Sequence, residues 1–124
     1  MVTVWVKGAA SDEDAKLAAE AIANSPLCKT AIHGGDPNWG RFVSAAGYSG
    51  ASMNVERAVC KVGGLMVFKN GLPTAIDLKR VQAAMKKKEL TIEVDLGTGG
   101  GGRHRVYTCD LSREYIAINA DYHT

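Results

Sequence analysis

Paired cysteines, long apolar runs and a large net charge are all missing from this sequence, and each absence excludes something. Three cysteines, Cys28, Cys60 and Cys109, are an odd and widely spaced set. They do not make a disulfide framework, so a reducing compartment and a cytoplasmic location are expected. No apolar stretch approaches the ~20 residues that cross a bilayer, so no membrane partner is expected. The opening "MVTVWVKG" lacks the basic and then apolar order of a secretory signal. A net charge of +2 is too small for a nucleic-acid footprint. The basic cluster "MKKKEL" carries no aromatic residue on which a base could stack, so no nucleic-acid partner is expected. It reads instead as a solvated helix end, where lysines complement the dipole.

What remains is an ordinary globular composition. A length of 124 residues with 46% hydrophobic residues can build one core and is too short for two ordinary domains. Val2, Val4 and Val6 alternate with Thr3, Trp5 and Lys7, which predicts a strand from the second residue. A chain that starts inside a strand suggests a piece of something longer. Ser11 predicts a helix N-cap, with Asp14 three residues on completing a capping-box-like arrangement. Ala15, Ala18, Ala19 and Ile22 then share a face, and Asn24, Ser25 and Pro26 end the helix. A second helix is expected from Asp36 as N-cap and Pro37 as first residue, with Trp39, Phe42, Val43 and Ala46 on one face. Residues 57–62 and 65–69 read as strands joined at Gly63-Gly64. A third helix over 77–88 would carry Leu78, Val81, Ala84 and Met85 on one side. Residues 91–110 read as a hairpin in which Ile92 meets Val106, Glu93 meets Arg105 and Asp95 meets Arg103. Ser112 could cap a short turn before a polar tail. Strands and helices do not alternate strictly, so the fold class is α+β: a single small domain, a mixed sheet and about three helices.

Several segments invite a chemical reading. "GTGGGGRH" has the glycine spacing of a phosphate loop, but Arg103 and His104 stand where that chemistry needs Lys and Ser or Thr. A flexible hairpin tip is the plainer reading. Cys28 with His33, and His104 with Cys109, have poor spacing for zinc, and no C-x-x-C occurs, so no metal is expected. A Cys109–His pair as nucleophile and base has no support beyond composition. The stretch from Lys29 to Phe42, "KTAIHGGDPNWGRF", is richer. A helix starting at Asp36-Pro37 leaves N–H groups beside Gly34 and Gly35 that suit a carboxylate or phosphate, with Lys29 and Arg41 adding charge. The alternative is scaffolding: Asp36 takes those N–H groups and Trp39 anchors the helix. At the tail, Asn119 offers donor and acceptor, and Thr124 adds a hydroxyl and a carboxylate, a set that suits a zwitterionic amino acid. A frayed end is the ordinary alternative.

Two longer motifs carry a resemblance. "AIANSPLCKTAIHGGDPNWGRFVSAAGYSG" (21–50) and "CDLSREYIAINADYHT" (109–124) resemble the C-terminal part of the β chain of ornithine acetyltransferases, the bifunctional glutamate N-acetyltransferases of arginine biosynthesis. The resemblance runs over essentially all 124 residues. It implies a precursor that cleaves itself between Ala and Thr, freeing a threonine nucleophile. That threonine moves acetyl from N-acetylornithine to glutamate by a ping-pong route, without metal or organic cofactor, although some members also accept acetyl-CoA. The family's substrate contacts near its C-terminus match Asn119 and Thr124. No Ala-Thr dipeptide occurs in this chain, so it carries no catalytic residue of its own. The acidic substrate contact expected just upstream of the first strand is absent, as is the oxyanion region of the α chain. The implied partners are therefore the α chain and the N-terminal part of the β chain, with self-association left open. The chain alone is expected to be inactive. The rival expectation is a free-standing binding or assembly module that keeps the fold.

Overall fold

Alternation builds the first strand. In β1 (Val2–Ala9), Val2, Val4 and Val6 are buried while Thr3, Trp5 and Lys7 between them stay partly exposed. The computed structural model describes residues 1–108. After β1 come α1 (Asp12–Asn24), α2 (Pro26–Gly34), α3 (Gly40–Gly47), a 3-10 turn (Val55–Arg57), β2 (Val59–Val62), β3 (Leu65–Lys69), β4 (Leu72–Pro73), α4 (Leu78–Met85), β5 (Leu90–Asp95) and β6 (Gly102–Thr108). The strands form one sheet in the order β4-β3-β2-β5-β1-β6, with β1 parallel to β5 and antiparallel to β6. This is the α+β, mixed-sheet class the sequence predicts, with four α-helices rather than three among the described residues.

The core lies between the helices and one face of the sheet. Val4, Val6, Cys60, Val62, Ile92 and Val94 are fully buried there beneath Ala15, Ala18, Ala19, Ile22 and Phe42. Alanines on α1 let its backbone come close to the sheet, which explains the narrow small-residue face. Trp39, just before α3, packs against Phe68 of β3 with ring centroids 5.3 Å apart and the rings tilted by 44°. On the other face, Glu93 of β5 lies 3.5 Å from Lys7 and 3.7 Å from Lys61. The Arg105 guanidinium sits 4.2 Å from the Trp5 ring centroid.

Four expectations need correction. First, 91–110 is not a hairpin. Val4 of β1 lies between Ile92 and Val106, and Trp5 lies between Glu93 and Arg105. Two of the three expected rows are found, but an extra strand stands between their two ends, and a register shift after Val6 leaves Asp95 and Arg103 without a common partner on β1. Second, the glycine run is not a flexible tip. It crosses the end of β1, where the Thr98 N–H and Oγ1–H both donate to the Gly8 carbonyl, at 3.1 and 2.6 Å. Gly100 and Gly102 press on the backbone of Ala9 and Ser11, leaving no room for a Cβ. Third, Lys29 to Gly34 is not loop but most of α2, an element the periodicity did not predict. Ser25 explains it: its N–H closes α1 onto the Ile22 carbonyl, and its Oγ accepts from the Cys28 N–H at 3.2 Å to start α2, with Pro26 in the first turn. Fourth, α4 is shorter than 77–88. Asp77 caps it by accepting from the Lys79 N–H at 2.9 Å, it ends at Met85, and Leu78 is exposed rather than on the buried side.

Candidate functional site

The stretch from Lys29 to Phe42 resolves into scaffolding. Its first residues belong to α2, which ends in a left-handed cap at Gly35 (φ 63°), where the Gly35 and Asp36 N–H groups return to Ile32 and Ala31 carbonyls. Asp36 is not the N-cap of α3. Its Oδ1 accepts from the Asn38 N–H at 3.1 Å, a local turn, and its Oδ2 lies 3.7 Å from Arg41. Arg41 in turn donates to the Leu27 carbonyl at 3.1 Å. The helix begins at Gly40 with Trp39 as its cap residue and no side-chain hydrogen bond there. The Asp36 carboxylate thus takes a backbone N–H, as in the scaffolding alternative, and the Arg41 guanidinium is turned to Asp36 and the Leu27 carbonyl.

The cysteines have no site character either. Cys28 is buried in α2 and its thiol donates to the Arg41 carbonyl at 3.2 Å, whereas His33 on the same helix is exposed. Burial raises the Cys28 thiol, against opposing effects of the Ser25 hydrogen bond and Arg41. Burial, then the neighbouring Cys28 and Glu93, push the Cys60 thiol up to about 12. Both are poor nucleophiles at neutral pH. Among the described residues, no three His, Cys, Asp or Glu side chains gather as a metal site would need. No described helix is long and apolar enough to cross a membrane. Cys109, Ser112, Asn119 and Thr124 lie outside the described residues.

A cleft of about 510 Å³ opens instead where the strands begin. Met1 and Val2 at the start of β1, Ile32 to Gly35 at the end of α2, and Met85 to Leu90 between α4 and β5 line it. The Met1 nitrogen donates to the Lys88 carbonyl at 2.6 Å, and the Leu90 N–H donates to the Met1 carbonyl at 3.1 Å, so the loop 86–89 is fastened to β1. A second cleft of about 470 Å³ lies across that loop, against Gly63, Gly64, Lys61 and Glu93. Sequence reasoning missed this region. Its available signals were the lysine cluster and the Gly34-Gly35 pair, which lie far apart in the chain and meet only through tertiary packing.

Comparison with known proteins sets this geometry in a family. The sequence model of the ArgJ family matches residues 1–124. The "Arginine biosynthesis bifunctional protein ArgJ" of Deinococcus radiodurans is 48% identical over 124 residues, covering 100% of this chain and 31% of that protein. The "Glutamate N-acetyltransferase" of Methanocaldococcus jannaschii is 46% identical over 129 residues, covering 98% of this chain and 32% of that protein. The crystal structure of the arginine biosynthesis bifunctional protein ArgJ from Bacillus halodurans superposes with a TM-score of 0.85 at 38% identity, over 98% of this chain and 57% of that one. The chain therefore spans less than a third of the length of these two curated relatives.

Proposed function

This chain belongs to the ArgJ family, and from that premise we propose that residues 1–124 are the C-terminal domain of the β chain of a glutamate N-acetyltransferase. The observation that carries the reading is the family match along every residue, alongside a relative named for that activity. The reaction is acyl transfer by way of a covalent ester. A threonine hydroxyl on another part of the enzyme attacks the acetyl carbonyl of N-acetylornithine, the amide C–N bond breaks, and ornithine leaves with the proton on its amine. The glutamate amine then attacks the ester, and N-acetylglutamate departs as the hydroxyl is restored. Splitting the transfer replaces one difficult step by two easier ones. The cycle draws on no metal or organic cofactor.

In this reading the chain contributes binding, not the nucleophile. Asn119 and Thr124 contact the amino-acid substrate, as their match to the family's C-terminal contacts implies. The cleft supports a second contribution. Met1 lines it, so an acidic group just upstream of β1 would stand at its rim. The partners are the α chain and the N-terminal part of the β chain. A cytoplasmic location is proposed, although a relative from Lodderomyces elongisporus, 43% identical, is named as mitochondrial.

Co-expression of this chain with the upstream part of the enzyme tests the reading. The pair should co-purify and transfer acetyl from N-acetylornithine to glutamate, while the 124-residue chain alone shows no turnover. A chain that co-purifies with nothing and adds nothing to the upstream part's activity is a free-standing module, and the proposal fails.

A further inference from the structure

We propose that the sheet face turned away from the helices is where this chain docks on the remainder of its enzyme, against an acidic surface. The proposal rests on the reading of the chain as one domain of a larger glutamate N-acetyltransferase. Strand register defines the face. One row crosses it from β6 to β2 as Arg105, Trp5, Glu93 and Lys61, and a neighbouring row holds Tyr107, Thr3 and Thr91. The residues that alternate with them, such as Val4, Ile92 and Cys60, are fully buried in the core, whereas Thr91, Arg105 and Tyr107 are exposed.

This face lacks a cover that its strand arrangement calls for. β1 and β5 run parallel inside the sheet, and a parallel pair is ordinarily buried on both sides. Among the described residues, each helix sends its buried side chains into the core on the other side. The Arg105 guanidinium lies 4.2 Å from the Trp5 ring centroid and donates to Tyr107 Oη at 3.2 Å, which links three side chains across the face. Tryptophan, tyrosine and arginine are the side chains most enriched among interface anchors. Tyr107 is 59% exposed, so the cluster is open to a partner.

Length and charge identify that partner. The chain covers 31% and 32% of two curated relatives, so most of such a protein lies outside the matched span and has to meet this domain. The face carries Lys7, Lys61, Arg103 and Arg105 against Glu93 and Asp95. Glu93 lies between Lys7 and Lys61, and Asp95 Oδ1 accepts from the Gly97 N–H at 2.8 Å, so neither acid is left to balance the arginines. Four cations against two acids leave the face cationic, and an acidic surface complements it. A second copy of the chain, pairing through the same face, would set two cationic surfaces together.

Co-expression of the chain with the upstream part of the enzyme, read as the amount of chain that co-purifies, tests this. Thr91→Arg plants a bulky side chain amid the face at an exposed strand position and should cut recovery by on the order of tenfold. Arg103→Glu should do the same while Arg103→Lys stays within about twofold, as an acidic partner requires. Leu17→Arg, on the exposed surface of α1, should also stay within about twofold. Urea midpoints of the separate chains report that each variant folds. Hydroxyl-radical footprinting of the native complex needs no substitution: Trp5 and Tyr107 should lose reactivity relative to the chain alone. If the native chain does not co-purify, the domain reading falls and this proposal with it. If it co-purifies but folded Thr91→Arg does so equally, Leu17→Arg costs as much, or Trp5 and Tyr107 keep their reactivity, the docking face is elsewhere and only this proposal is overturned. Equal recovery of Arg103→Glu and Arg103→Lys overturns the acidic partner.

Discussion

Cys60 shows how much a single buried atom can weigh. It is fully buried in β2, and its thiol is pushed up to about 12 by burial first, then by Cys28 and Glu93. The folded chain therefore keeps this proton where the unfolded chain, titrating near 9, has released it. A pKa raised on folding gives stability that is intact below the unfolded value and is lost as pH climbs through the interval to the folded one. Stability should accordingly fall between about pH 9 and pH 12, by on the order of a few kcal/mol across the interval. Urea unfolding of the native chain and of Cys60→Ala at about pH 8 and about pH 10 checks this. The native chain should lose distinctly more stability than the variant, and parallel losses would assign the pH dependence elsewhere. Glu93 has less influence on stability despite its two lysines. All three side chains are partly exposed, and such pairs contribute about 0–1 kcal/mol each.

At the scale of elements, α1 rests on its first turn. The Asp14 N–H donates to Ser11 Oγ at 3.1 Å, and the Arg103 N–H donates to Asp12 Oδ1 at 3.0 Å, tying the helix to β6. The Asp14 carboxylate does not close the capping box. It accepts from the Ser52 N–H at 3.1 Å instead and holds the chain beyond α3. Ser11→Ala should lower unfolding free energy by about 1 kcal/mol without changing the fold. Denaturant midpoints read this directly, and an unchanged midpoint would mean water replaces the cap at no cost. The start of α1 was legible in the sequence because its signals are local: a capping serine, acids in the first turn, then a four-residue rhythm of alanines. The β2–β3 turn at Gly63-Gly64 was legible for the same reason. Helix α2 was not, because nine residues with two buried side chains make too short a pattern to distinguish from loop. The pairing of β5 with β6 failed differently. Apolar and charged residues align Ile92 with Val106 and Glu93 with Arg105 whether or not a third strand lies between them. Side-chain pattern specifies rows across a sheet, while the order of strands depends on contacts distant in sequence.

The described residues form a six-stranded sheet covered by helices on the face that forms the core, with a lysine-lined cleft at the end where β1 and β5 begin. That cleft could not be read from the chain, because Gly34-Gly35 and Lys86–Lys88 come together only through tertiary packing. The family was legible, because long motifs survive where short spacings do not. The chain covers under a third of the two curated relatives compared above, so the role in acetyl transfer proposed for it is one within a larger enzyme. In the function proposed above, Asn119 and Thr124 contact the amino-acid substrate while the nucleophile is carried elsewhere. Steady-state kinetics of the assembled enzyme carrying Asn119→Ala, and of one lacking Thr124, is the most direct measurement. The KM for the amino-acid substrate should rise by on the order of tenfold in each, with the assembly intact. Native KM and kcat in both would contradict it.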